Sequence, residues 1–381
     1  QLQVAANLEL PPSGLDRPGA RPGPRHWLQE GIPFASPATI YCGMASIEAA
    51  RLKAGVDYPR DLSQFDRFFA DEEACVRYLR GVRWPSGFVC PKCGHAGDPW
   101  RAKRGLLLCS SCRAPTSVTA GTVFEGTRKP LRLWFIAAWE ITSHKYGANA
   151  TSVRRVLGLN SYKTAWSWLH KLRRAMVRPD RDRLFGAVEV DEMYVGGEEK
   201  GVHGRQTEKK AIVACAVEVL DNKRLGRVRL RRVDGVSDGA LRPFVEEAVE
   251  LGSSVLTDAW GGYTGLAGAG YDHLVINQSA SPDPAHVLLP GVHRIAALLK
   301  RWLGSTYQGA VSREHLDYYL DEYTFRFNRS SSASRGLLFY RLLEQAVQTR
   351  PTPTRSLFLD TGRGPTSEEA TARWHRAHHK M

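Results

Sequence analysis

Between residues 184 and 330 the apolar positions come in short runs. AVEVDEMYV, KAIVACAVEVL and GRVRLRRV predict three successive strands, GALRPFVEEAVELG a helix, and SSVLTD a fourth strand. Alternation along the first run puts Val188, Val190 and Glu192 on one face and Glu189, Asp191 and Met193 on the other. Upstream the period changes: PLRLWFIAAWEITSHKYG, NATSVRRVLGL and SYKTAWSWLHKLRRAM carry apolar residues at helical spacing and predict three helices. Gly158 is placed to end the second helix and Ser161 to cap the third. In the third helix Ala165, Trp168, Leu169, Leu172 and Met176 form an inward stripe. Lys163, Lys171, Arg173 and Arg174 are expected largely outside it. A short helix, a tight turn and a basic amphipathic helix fit a helix-turn-helix over residues 128–180, with a plain helical bundle as the alternative.

The flanks follow neither period. Residues 1–45 are rich in Pro and Gly, as in PPSGLDRPGARPGPRHW, and are expected to be disordered. The chain opens on Gln1 and its first methionine is Met44, so we expect translation to begin near Met44. Residues 350–381, including TPTRS and RWHRAHHK, are polar and basic and are expected to be a flexible tail.

Composition adds a partner class. A formal charge of +14 and a pI near 9.6 over 381 residues favour a polyanion, with nucleic acid ahead of an anionic membrane. No run approaches the roughly 18 to 20 apolar residues of a membrane span, and the N-terminus has no signal-peptide pattern, so a soluble, cytoplasmic protein is expected. The length suits two or three domains.

Four of the seven cysteines form Cys90-x-x-Cys93 and Cys109-x-x-Cys112, fifteen residues apart, with Gly94, Gly97 and Gly105 between. Each pair offers two thiolates to one tetrahedral Zn²⁺, which is the spacing of a zinc ribbon within residues 60–120. A disulfide framework is the alternative; it needs an oxidising compartment and leaves a cysteine over. Four thiolates close the coordination shell, so the zinc is structural. Cys42, Cys75 and Cys215 read as ordinary small residues.

Asp191 lies on the less apolar face of the first strand and Asp258 closes the fourth. Either alone is as well explained by structure as by chemistry, but together they could hold a divalent cation. With these residues the chain resembles insertion-sequence transposases of the ISXO-like group. The resemblance rests on DEEACVRYLRGVRWPSGFVCPKCG, GTVFEGTRKPLRLWF, SYKTAWSWLHKLRRAM, VEVDEMYVGG, TDAWGGY, and VHRIAALLKRWLGSTYQG leading to YLDEYTFRFNR. It implies an α/β protein with an RNase H-like catalytic domain over 184–345, preceded by the zinc ribbon and the helix-turn-helix-like region. It further implies DNA strand cleavage and transfer with Mg²⁺ or Mn²⁺, and Asp191 and Asp258 as the first two acidic positions. DNA would be the partner, and a homo-oligomer would hold two element ends.

The third position departs from an Asp-Asp-Glu pattern. His293 stands there, with Lys300 seven residues on and on the same helical face, where it would hold a phosphate. Imidazole suits Mn²⁺ better than Mg²⁺ and is neutral. A surface or DNA-contacting histidine is the alternative; Glu189, Asp321 and Glu322 rank below His293 as the third ligand. Tyr194, Gly196 and Gly197 lead into a basic loop, KGVHGRQTEKK, expected near DNA. Arg326, Asn328 and Arg329 offer phosphate or base donors. Lys163, Lys171, Arg173, Arg174, Lys300, Arg326 and Arg329 are the expected DNA contacts. A silent DNA-binding derivative and a structure-specific nuclease remain as other readings.

Overall fold

The computed structural model describes residues 52–178, 181–197, 210–220, 224–277, 280, 282, 284–309, 311–332 and 334–359. The expectations for the N-terminal stretch, Met44, the loop from Lys200 to Lys209 and the end of the tail fall outside these residues.

Two short helices, α1 (Leu62–Phe68) and α2 (Glu72–Arg83), begin on Asp61 and Asp71, whose side chains accept from the amides of Gln64 and Ala74. The ribbon follows with three two-residue strands, β1 (Trp100–Arg101), β2 (Leu107–Leu108) and β3 (Pro115–Thr116), paired antiparallel. Then come α3 (Leu131–Ser143), α4 (Ala150–Val156) and α5 (Tyr162–Arg174), at the places the helical spacing predicts. Gly158, at φ +60°, terminates α4, whereas Ser161 makes no capping hydrogen bond to α5. The whole predicted stripe of α5 is buried, and Trp168 stacks on Trp134 of α3 at 4.0 Å.

A five-stranded sheet follows: β4 (Ala187–Val195), β5 (Ala211–Val219), β6 (Leu225–Val233), β7 (Ser254–Asp258) and β8 (Asp272–Ile276), in the order β6-β5-β4-β7-β8. The first three are antiparallel, while β4, β7 and β8 run parallel. α6 (Asp238–Ala248) covers one face, burying Val188, Val190, Ala214 and Ala216. After the single-turn α7 (Ala285–Leu288), α8 (Pro290–Tyr307) and α9 (Leu316–Phe327) cover the other, burying Met193, Val213, Cys215 and Val217. This mixed α/β arrangement has two helix-covered faces, as its near-continuous apolar strands require.

Two boundaries differ from the sequence reading. α10 (Arg335–Gln348), expected within the catalytic domain, packs its Leu338, Phe339, Leu342 and Leu343 into the core of α1, α2 and α3. The chain therefore returns to the N-terminal helices after the sheet. The expected tail forms α11 (Thr354–Leu359), in which Leu357 is buried and Phe358 stacks on Trp166 of α5. Its apolar residues, Leu357, Phe358 and Leu359, are too short a run to stand out in a polar stretch. No helix among the described residues is long and apolar enough to cross a membrane.

Candidate active site and metal centre

The ribbon is built from two matching knuckles. In each, the first cysteine's carbonyl accepts the amide four residues on (Gly94 at 2.9 Å, Arg113 at 3.0 Å), and its own amide donates to the carbonyl five residues on. Gly94 and Arg113 occupy equivalent left-handed positions, at φ +73° and +59°. All four Sγ atoms lie within 4.8 Å of one another, with Cys90 to Cys112 and Cys93 to Cys109 at 3.7 Å. A tetrahedron with Zn–S near 2.3 Å has S···S edges of about 3.8 Å, whereas a disulfide needs about 2.05 Å. The donor set thus fits zinc and not two disulfides. The ribbon's own apolar core holds only Phe88 and Leu107 beside two of the cysteines, with Trp84 against it, so a zinc ion held there would supply cohesion that burial does not.

On the sheet, β4 pairs with β7 at Ala187↔Ser254, Val188↔Val255 and Glu189↔Leu256. Continuing that offset by two residues sets Asp191 level with Asp258, about 4.8 Å apart in strand spacing. Both carboxylates share the α8 face. Asp191 has the parity of Met193, which packs there, and Asp258 has the parity of Leu256, which packs against the same core. Asp191 Oδ1 accepts from the amide of Glu192 at 2.8 Å, and Asp258 Oδ1 from that of Trp260 at 3.1 Å.

His293 lies in the first turn of α8, half-buried, and Lys300 is exposed on the same helix. The start of α8 is fixed by a residue that the sequence reading ranked as a spare metal ligand. Leu289 offers no capping side chain, and buried Glu189 does so from β4, its Oε2 accepting from Val292 at 3.0 Å. A Cβ on Gly291 would stand 2.7 Å from that oxygen, so glycine is what lets the carboxylate reach the helix end. Glu189 precedes Asp191 by two residues on the same strand face, which brings the turn bearing His293 over that part of β4. Asp191, Asp258 and His293 do not approach as closely as the cysteines do: among the described residues, only those four bring three or more ligand atoms within 4.8 Å.

Two further groups border the aspartates and had no sequence signal beyond the turn-rich AWGGY. Tyr263 is buried and donates to Glu192 Oε2 at 3.0 Å. Burial first, then the carboxylates of Glu192, Asp191 and Asp258 around it, hold its hydroxyl well above the usual tyrosine range, so it remains a donor. The thiol of Cys215, opposite Asp191 on β5, is raised by burial and by Asp191 and Glu189.

The expected DNA contacts divide. Lys163 is exposed at the start of α5, and Lys171 and Arg174 are half-buried further along it. Arg173 corrects the expectation. Its side chain is 1% exposed and pairs at 2.8 Å with Glu322 of α9, itself 0% exposed, so it is spent inside the protein. It lies four residues after Leu169, on the inward stripe. Glu322 is by the same bond removed from the candidates for a third metal ligand. Arg326 is likewise occupied, donating to the carbonyls of Ile141, His144 and Lys145 at the end of α3. Arg329 is half-buried over the Phe325 ring.

Comparison with known proteins agrees with this architecture. Residues 183–328 match the ISXO2-like transposase domain, ending where α9 ends, and residues 70–115 match the transposase zinc-ribbon domain. A Halobacterium salinarum protein, described as an uncharacterized protein in transposable element ISH50, is 27% identical over 276 residues, covering 68% of this chain and 91% of that protein. A Haemophilus influenzae protein, described as an uncharacterized transposase-like protein, is 30% identical over 115 residues, covering 30% of this chain and 92% of that one. With a four-cysteine ribbon joined to a mixed sheet, the chain belongs to the ISXO2-like transposases.

Proposed function

We propose that the protein is a DNA transposase that cuts and joins strands at insertion-sequence ends through a divalent-metal site built on Asp191 and Asp258. The observation that carries this reading is their equal level on adjacent parallel strands, both on the face covered by α8. The strand order, three antiparallel strands followed by two parallel ones on the β4 side, supports an RNase H-like fold. Mg²⁺ or Mn²⁺ held by the aspartates would supply charge neutralisation at the attacking and leaving oxygens of a phosphodiester. His293 completes the donor set as a neutral imidazole and favours Mn²⁺. Lys300, two turns along the same helix face, binds a substrate phosphate. Glu189 positions the turn that carries His293. Tyr263, kept protonated, fixes Glu192 beside the aspartates.

DNA recognition is assigned to the α4–α5 corner, a helix-turn-helix in which exposed Tyr162 and Lys163 lead the second helix, as base-contacting residues do in such motifs. Lys171 and Arg174 add backbone attraction, and two element ends call for a homo-oligomer working beside the DNA in the cytoplasm. The test is cleavage and strand joining on DNA carrying the parent element's ends, in Mg²⁺ and in Mn²⁺. The wild type should cut and join, Asp191→Asn should do neither, and His293→Glu should shift the preference toward Mg²⁺. Binding without cleavage by the wild type would reject the catalytic reading in favour of a silent DNA-binding protein. Cutting without joining would favour a nuclease.

A further inference from the structure

Where the helical core meets the sheet, a cleft of about 260 Å³ opens between the linker after α5, the start of β6 and the end of α9. Among the described residues that line it, five are arginines, Arg178, Arg181, Arg227, Arg229 and Arg329, and one is a carboxylate, Asp182. Three have acidic partners. Arg227 is held by both oxygens of Glu218, at 2.6 to 3.1 Å, Arg178 approaches Asp182 at 3.7 Å, and Arg181 approaches Glu247 at 3.6 Å. Among the described residues, neither Arg229 nor Arg329 has a carboxylate within 4.0 Å. Arg229 is 5% exposed and donates only to the carbonyls of Val228 and Asp182, and Arg329 donates to the carbonyl of Phe325 and lies 4.2 Å over its ring.

Carbonyls satisfy N–H groups without cancelling charge, so this arrangement keeps buried positive charge in mutual repulsion. Burial, then Arg181 and Arg227, push Arg229 down to about 9, and burial, then Arg178 and Arg341, push Arg329 down to about 10. An oxyanion in the cleft would relieve both effects, and the planar guanidinium fork matches phosphate geometry. The volume admits a phosphate group.

We propose that this arginine cleft is a phosphate-binding site, separate from the aspartate site, and that a DNA backbone phosphate fills it. Its DNA source rests on the function proposed above; the oxyanion site itself does not. Arg229 and Arg329 are its inner donors and Arg178, half-exposed at the rim, an outer one.

The test uses the full chain. Inorganic phosphate, compared with chloride at equal ionic strength, should raise the wild-type Tm by about 2–4 °C when well above its dissociation constant. That ligand-induced shift should vanish in Arg329→Gln and weaken in Arg178→Gln, a rim variant whose folding is not at stake. Measuring the shift within each variant separates ligand binding from any lower starting Tm. On duplex DNA, Arg329→Gln should reduce the slope of log affinity against log salt by about one. Asp191→Asn should leave both readouts unchanged, which separates this proposal from the catalytic one. A phosphate shift with an unchanged DNA slope would keep the oxyanion site and assign it to free phosphate. No phosphate shift in the wild type, or an equal shift in Arg329→Gln, would overturn it.

Discussion

Removing the charge of Glu322 should damage the protein far more than one hydrogen bond suggests. Glu322 Oε2 accepts from Arg173 Nε at 2.8 Å and from the Tyr307 hydroxyl at 3.0 Å, while the guanidinium lies 4.3 Å from the Tyr319 ring centre. With side chains 1% and 0% exposed, water cannot replace the lost partner. Glu322→Gln keeps shape and acceptor but strands a buried cation, a loss of about 3–5 kcal/mol. Against a typical total of about 5–15 kcal/mol this is a large fraction, and it should lower Tm by on the order of 10 °C. The double variant Arg173→Met with Glu322→Gln removes the stranded charge and should recover at least about 2 kcal/mol, measured by thermal melting as a double-mutant cycle. A loss below about 1 kcal/mol in Glu322→Gln, or a double variant no better than the single, would refute the reasoning. Because the pair joins α5 to α9, the same variant should loosen the proposed DNA-reading helix relative to the sheet.

Three more outcomes follow from neighbouring geometry. Gly147 sits at φ +76° with Glu322 Oε1 2.2 Å from where a Cβ would be, so Gly147→Ala should cost more than the roughly 1 kcal/mol of backbone strain alone, as read by denaturant melting. Buried His170 is pushed down to about 2, by burial and then by Arg173, so the unfolded chain takes up a proton that the folded one refuses. Stability should therefore fall as pH drops below 6.5, by about 2 kcal/mol at pH 5, and His170→Gln should flatten that fall in pH-dependent melts. Stripping zinc with a chelator, or Cys109→Ser, should unfold residues 88–116 and leave the melting of the sheet in place; protection of ribbon amides from hydrogen exchange in the chelated protein would contradict this.

What the sequence disclosed, and what it hid, divides by the range of the interactions. The ribbon was legible because its signal is local: two Cys-x-x-Cys turns each close within five residues. The β4, β5 and β6 strands were legible as short apolar runs between two covered faces, and the α3 to α5 helices because a core on one face imposes a period. β8 was missed. As an edge strand it leaves Leu274 and Val275 exposed, so no alternation marks it. The role of Arg173 was hidden because its partner lies 149 residues away, and a basic residue on an amphipathic helix looks solvated until the facing helix is known.

The same logic explains Glu189 and Glu72. α3 starts after Pro130 and α8 after Leu289, neither able to cap a helix, and in each case a distant carboxylate does so. Glu72 accepts from Leu131 and Arg132, and Glu189 from Val292. At these two helix starts an acidic side chain from elsewhere in the chain satisfies free amides that the local sequence leaves uncapped. For Glu189 the consequence reaches function. Burial raises its carboxyl while the Val292 and Gly291 amides pull it down, with burial prevailing, so this helix start is bound by an acid whose charge is costly to keep. Such a cost is tolerable where placement matters. The turn that Glu189 holds carries His293, and the strand that carries Glu189 bears Asp191 two residues on.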